Sequence, residues 1–182
     1  MTRPETTKFL SDLLVSTRLK KRGTYYASEV SLDWGTDKVK FIDYLQFCPA
    51  SVTSTDGIEK GKFICYEVKS CLEDVFSGNG LNFIGEQNYL VMTMQTWKET
   101  KPYFLDGRFW KHLHDTNPES SGYIGIMCAV PDTGRTAADE YENPTPLDAE
   151  ESWKLEVIMP CRNGPRNRSM TQLLFYMLRS GK

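Results

Sequence analysis

One short stretch, Phe63-Ile64-Cys65-Tyr66-Glu67-Val68-Lys69, constrains this chain more than any other. Apolar and aromatic residues with β-branched Ile64 and Val68, set just after Gly61, read as a short buried strand. Its C-terminal end carries Glu67 and Lys69, and side chains at i and i+2 of a strand point to the same face. A carboxylate and an amine therefore lie side by side where the strand ends. Desolvating an unpaired charge costs several kcal/mol, so something must compensate. A metal ion with a phosphate is one candidate.

The chain is long enough, at 182 residues, for one domain spanning 1–182 with a substantial core. A formal net charge of −2 gives no global attraction to nucleic acid or membrane, so any nucleic-acid surface has to be local. No apolar run approaches the roughly 20 residues that span a bilayer. The N-terminal residues lack the apolar core of a signal peptide. Five scattered cysteines without a C-x-x-C pair read as free thiols in a reducing, cytoplasmic setting.

The apolar spacing predicts a helix over Glu5 to Lys20, stopped by Gly23. Strands are expected over Thr24–Leu32, Val39–Cys48 and Phe63–Lys69, with a polar loop from Pro49 to Gly61. Ser70 to Phe76 reads as a short helix capped by Ser70 and closed by Gly78-Asn79-Gly80. A strand over Asn88–Thr93 precedes a partly helical stretch, Met94–His114, that Pro102 and Gly107 interrupt. A central strand over Tyr123–Val130, a long acidic loop from Pro131 to Ser152, a strand over Trp153–Met159 and a helix over Ser169–Arg179 complete the chain. The order of elements gives an α/β fold, a mixed central sheet flanked by helices.

In the second strand, Asp43 shares the alternating face of Val39, Phe41, Leu45 and Phe47. Buried aspartates are rare unless paired, hydrogen-bonded or metal-bound. Two readings follow: a structural role for Asp43, accepting backbone N–H bonds or paired with Lys69, or a functional site. Asp43 and Glu67 fall on runs that pair as neighbours across the Pro49–Gly61 loop. Two carboxylates converging at strand ends make a hard-oxygen site suited to Mg²⁺ or Mn²⁺. Lys69 beside them is placed to hold a scissile phosphate or to activate a water.

Asp43 followed by Glu67-Val68-Lys69 on successive strands resembles the D…E-x-K signature of the PD-(D/E)XK nuclease superfamily. Its restriction-endonuclease-like core has a similar order of elements. Glu67-Val68-Lys69-Ser70, with Asp74 and Phe76 downstream, also resembles small DNA-repair nucleases of bacteria and phages. The resemblance covers Thr7 to Val130. It departs from the family in having Ile42 rather than proline before Asp43, and the spacing of Gln87 and Tyr89 does not form a Q-x-x-x-Y motif.

The resemblance implies hydrolysis of DNA with Mg²⁺ or Mn²⁺. Asp43, Glu67 and the Val68 carbonyl would be metal ligands, Lys69 would act on the water, and Glu29 would stand where a further acid completes the site. Whether the DNA is duplex, single-stranded or branched stays open. So do an RNA substrate and a catalytically inactive binding protein on the same fold, such as a phage-encoded inhibitor or DNA-binding factor.

Ser70, Asn79 and Asn82 follow the motif and are expected near nucleic acid, although helix capping and turn formation explain Gly78-Asn79-Gly80 equally well. The C-terminal segment carries Arg162, Arg166 and Arg168 but no acid, against an acidic loop before it. Its arginines are either a phosphate-binding face or solvated charge. The apolar stripe Met170, Leu173, Leu174, Met177 and Leu178 packs on the core or on a second copy of the chain, so a homodimer is among the expectations. His112 and His114, at i and i+2, do not face each other on a helix.

Overall fold

The computed structural model describes residues 1–37 and 39–180. Six strands form one mixed sheet in which neighbours in sequence are neighbours in space: β1 (Tyr25–Leu32), β2 (Lys40–Cys48), β3 (Lys62–Val68), β4 (Gln87–Thr93), β5 (Gly125–Pro131) and β6 (Trp153–Met159). The pairs β1–β2, β2–β3 and β5–β6 are antiparallel, while β3–β4 and β4–β5 are parallel. Parallel neighbours need crossover connections. These are supplied by α3 (Leu72–Val75) with the loop after it, and by α4 (Met94–Leu105) with α5 (Arg108–Thr116).

The alternation of the inner strands explains why both faces are covered. Leu90 and Met92 of β4 enter the larger core with Phe63, Phe83, Phe109 and Ile126. Tyr89 and Val91 point the other way, onto Leu10, Leu14 and Leu19. Those leucines come from α1 (Arg3–Leu14) and the π-helical turn Val15–Leu19 that continues it. The sequence pattern anticipated one helix here. The Thr2 amide donates to Glu5 Oε2 (2.7 Å), fixing where it starts.

Two short helices interrupt stretches expected to be loops. Both have a side-chain cap, which the local sequence carries but apolar periodicity does not register. In α2 (Thr55–Glu59) the Ser54 hydroxyl accepts the Gly57 amide (3.1 Å). In α6 (Ala137–Glu142) Thr136 and Asp139 cap one another reciprocally. The chain also runs through Pro102 as helix and breaks at Gly107, whose φ of +88° is left-handed. In the turn α3 the N-cap position falls on Cys71 rather than Ser70, and Ser70 is held instead by Asp74 Oδ2, which accepts from both its amide and its hydroxyl (3.1 Å each).

The apolar face expected for β2 is not continuous. Ile42 and Leu45, three residues apart, enter the same core, as do Ala27 and Val30 on β1. An odd spacing on one face means that both strands change sides between those residues. The change is centred on Glu29, whose φ of +49° is left-handed, and on Asp43, which lies opposite it in the register set by Ser28↔Tyr44 and Val30↔Ile42. Ile42 is thereby buried completely and Phe41 is turned out, half exposed, contrary to simple alternation.

The edge of β1 is closed by α7 (Met170–Ser180). The Ser31 amide donates to Ser180 Oγ (3.3 Å), and Arg179 Nη2 donates to the Ser31 carbonyl (2.6 Å). Occupying those groups blocks strand addition at that edge.

Gly125 sits where β4, β5 and the chain after β6 meet. A Cβ there would lie 2.5 Å from Tyr89 Cε1 and 2.7 Å from both the Cys161 amide nitrogen and the Met159 carbonyl oxygen. Backbone in the middle of a sheet has little freedom to yield. Gly125→Ala is expected to cost about 1–3 kcal/mol, or about 3–10 °C in Tm for a chain of this size. A thermal melt of the variant that superimposes on wild type refutes this account of the packing.

Candidate active site

The β2–β3 ladder runs from Cys48↔Lys62 to Tyr44↔Tyr66 and then stops. The next residues in register are Asp43 and Glu67. There the backbones part, and Asp43 Oδ2 takes the Val68 amide as a hydrogen bond (2.8 Å) in place of a ladder partner. That bond holds the Asp43 carboxylate at the end of β3, next to Glu67.

Glu67 is fully buried. Its Oε1 accepts the Asn82 amide (3.3 Å), and its Oε2 has no hydrogen-bond partner. Burial, followed by the nearby Asp43 charge, pushes the Glu67 carboxyl up to about 8, against the pull of Lys69 and the loop amides. Asp43 is also raised, by burial first, while the Val68 amide and Lys69 oppose the shift.

Lys69, 4% exposed, does not form an ion pair with either acid; its Nζ donates to the Asn79 carbonyl (2.9 Å). Of the structural alternatives for Asp43, the backbone N–H bond is formed, while the ion pair with Lys69 therefore is not. The cause is the loop after α3. Gly78 and Gly80 have φ near +80°, and Leu81 follows at +60°. Left-handed backbone at three of four positions turns the Asn79 carbonyl to Lys69 and the Asn82 amide to Glu67. A Cβ on Gly80 would lie 2.5 Å from Glu67 Oε2 and 2.8 Å from Lys69 Nζ, so only glycine allows the loop to close this tightly.

Two buried asparagines tie the loop to β2. Asn82 Nδ2 donates to the Phe41 carbonyl (2.7 Å). Asn117, from the end of α5, donates to the Gly80 carbonyl (2.9 Å) and accepts from Lys40 Nζ (2.8 Å).

A groove of about 780 Å³ opens over this arrangement. Of the residues expected from sequence, Glu29, Asp43, Val68, Lys69, Asn79 and Asn82 line it, and Glu67 lies buried against Lys69 and Gly80. Ser70 faces a separate cavity of about 430 Å³ beside Cys71 and Thr96. The three C-terminal arginines do not line the groove. Arg166 is paired with Glu86 (2.8 Å), Arg168 with Asp33 and Glu119 (3.1 and 3.0 Å), and Arg162 stands exposed. Neither histidine is near: His112 packs on the Phe76 ring (5.1 Å between centroids) and His114 is exposed.

Sequence reasoning missed Arg3, Thr7 and Ser11, which face the groove at four-residue spacing along α1, and also Lys40 and Asn117. The α1 stripe was visible as polar residues recurring at i, i+4 and i+8 alongside Leu10 and Leu14, at the edge of the apolar face. Asn117 carried no local signal.

The oxygen donors that converge are two carboxylates at the end of β3, one with an orphaned buried oxygen. That set suits a hard divalent cation completed by water and phosphate. Among the described residues, no group of three or more His, Cys, Asp or Glu side chains is placed to hold a metal ion by itself.

No protein-family model matches the chain. No curated protein and no solved structure matches it either.

The raised Glu67 pKa has a defined consequence for stability. Between pH ~4.5, where a free glutamate ionises, and about 8, the folded protein keeps a proton that the unfolded chain has lost. Stability is therefore greatest at the acidic end of this window and falls as pH rises through it, by at most about 1.4 kcal/mol per pH unit for one group. Denaturant unfolding in EDTA at several pH values should show this decline, with Asp43 adding in the same direction. Glu67→Gln should flatten it. A wild-type profile already flat over this range contradicts the burial argument. Gly80→Ala tests the loop: its Cβ has to displace Glu67 or Lys69, so a lowered Tm is expected, and unchanged stability means that the closure is not as tight as the geometry requires.

Proposed function

We propose that the chain is a metal-dependent DNA nuclease with a restriction-endonuclease-like core. The observation that carries this reading is the pair of adjacent carboxylates at the end of β3, one fully buried with an unpartnered oxygen, left unpaired by a lysine one residue beyond Val68. A site with only a structural role has a less costly solution within reach, an ion pair with that lysine. The resemblance of Asp43 and Glu67-Val68-Lys69 to the D…E-x-K pattern supports the same conclusion.

Asp43 and Glu67, with the Val68 carbonyl, would hold Mg²⁺ or Mn²⁺. Once bound, the cation supplies Lewis-acid stabilisation of charge developing on a phosphate. The protein's own part follows from the geometry. Asp43 is fixed by the Val68 amide and Glu67 by the Asn82 amide, so both carboxylates are oriented in advance. Lys69 holds its donors beside them, where they can orient the attacking water and a non-bridging phosphate oxygen. The nearby Glu29 lines the groove and its charge helps raise Asp43. Its strained backbone costs about 1–3 kcal/mol, and a third oxygen donor is the role that strain would serve.

The purified protein is expected to cleave DNA with Mg²⁺ or Mn²⁺ and not in EDTA. Lys69→Ala should retain cation binding, measured with Ca²⁺ by calorimetry, while losing about a hundredfold or more in turnover. Glu67→Ala should lose both. Wild type that is inert with either metal on single-stranded, duplex and branched DNA and on RNA removes the enzyme and leaves a binding protein. Among the described residues no helix is long and apolar enough to cross a membrane.

A further inference from the structure

We propose that the groove takes single-stranded DNA, with one base stacked on Phe41. The proposal rests on the nuclease reading for the chemistry at the groove, and goes beyond it in naming the form of the substrate and the side chain that selects it.

Phe41 lies two residues before Asp43, lines the groove and is 50% exposed. It belongs to neither core cluster and makes no ring contact among the described residues. Yet its backbone is held: Asn82 Nδ2 donates to its carbonyl at 2.7 Å, and the residue pairs with Ser31 of β1. A solvent-facing ring on a backbone held in this way is the form of a stacking platform for a nucleobase. The ring faces out because β1 and β2 change sides at Glu29 and Asp43. Regular pleating from Leu45 would have sent Phe41 into the core; instead Ile42 is completely buried there. The strained φ of Glu29 thus has a visible product, an aromatic face beside the two carboxylates.

The charge around the groove favours one strand over two. A duplex carries two phosphate backbones, and proteins that hold it use several free cations. Here Arg3 is paired with Asp74 (2.7 Å), which leaves Lys40 and Lys69, each held by a neutral oxygen, as the cations of the groove. Glu29, Asp43 and Asp74 offset the cations that line the groove. The arginines nearest in sequence to forming a basic face, Arg166 and Arg168, are spent on Glu86, Asp33 and Glu119. What remains facing the groove are the hydroxyls of Ser11 and Ser28, the Asn79 side chain, and Lys40 and Lys69, each held by a neutral oxygen, together with the ring. Such a lining holds one flexible backbone and relies on stacking for affinity.

The test measures fluorescence anisotropy of the full chain, in Ca²⁺, with a labelled thymine oligonucleotide of about ten nucleotides and with its blunt duplex. Wild type should bind the single strand at least about tenfold more tightly than the duplex. Phe41→Ala should weaken single-strand binding by about five- to a hundredfold, Phe41→Trp should restore it, and neither should lower the Tm, since the ring is not part of a core. An abasic nucleotide moved along the oligonucleotide should weaken wild-type binding at one position and cause no further loss in Phe41→Ala. Equal affinity for duplex, or single-strand binding indifferent to Phe41, overturns the proposal. Cleavage with Mg²⁺ is followed on the same oligonucleotides. Binding that depends on Phe41 without cleavage by wild type removes the nuclease reading and supports the stacking site; cleavage of duplex alone removes the stacking site and keeps the nuclease.

Discussion

A carboxylate with an unpartnered oxygen, fully out of water, is the constraint around which the rest of this molecule is arranged. Removing an isolated charge from water costs far more than any single contact returns. Glu67 is tolerated because its proton is retained up to about pH 8 and because the loop after α3 offers it amide donors. That loop in turn exists only because Gly78, Gly80 and Leu81 adopt left-handed backbone, and it stays in place because Asn82 and Asn117 tie it to β2 and Lys40. Each element is explained by the one before it, and together they leave Lys69 beside the acids without neutralising them.

The second organising feature is the reversal of β1 and β2 at Glu29 and Asp43. A pleated pair that simply continued would bury Phe41 and send Ile42 outward. The left-handed Glu29 interrupts the pleat, and three consequences share that origin: Ile42 fills the larger core, Asp43 leaves the ladder to bind the Val68 amide, and Phe41 faces the groove. Local strain of this kind persists only where the surroundings fix it. Here the fixing comes from the intact pairing on either side, Ser28↔Tyr44 and Val30↔Ile42.

The strands and the convergence of Asp43, Glu67 and Lys69 were legible because they depend on period-two patterns and sequence order, both local properties. The small helices α2 and α6 were missed although their caps were written in Ser54, Thr136 and Asp139, because attention to apolar periodicity overlooks single turns. The role of Asn117 was not legible at all: its partners Lys40 and Gly80 lie 77 and 37 residues away. The face reversal was hidden for a related reason. It is a property of a backbone angle on the neighbouring strand, and glutamate does not announce a positive φ as glycine would.

The C-terminal arginines show why a run of like charge is weak evidence for a binding face. In sequence, Arg166 and Arg168 stand with no acid nearby. In the fold, Arg166 meets Glu86, 80 residues away, and Arg168 meets Asp33, 135 residues away. Arg179 donates to Ser31 and closes the sheet edge. Each arginine joins the C-terminal segment to an earlier part of the chain, and partly buried guanidinium groups held in this way are poorly placed to follow a phosphate backbone. Segregated sequence charge has become cross-chain pairing. A chain of net charge −2 that spends Arg3, Arg166 and Arg168 on its own acids would, on the nuclease reading, have to recognise a polyanion at short range. The lining available for that purpose would be neutral polar groups, Lys40 and Lys69, and an exposed aromatic ring beside the adjacent carboxylates.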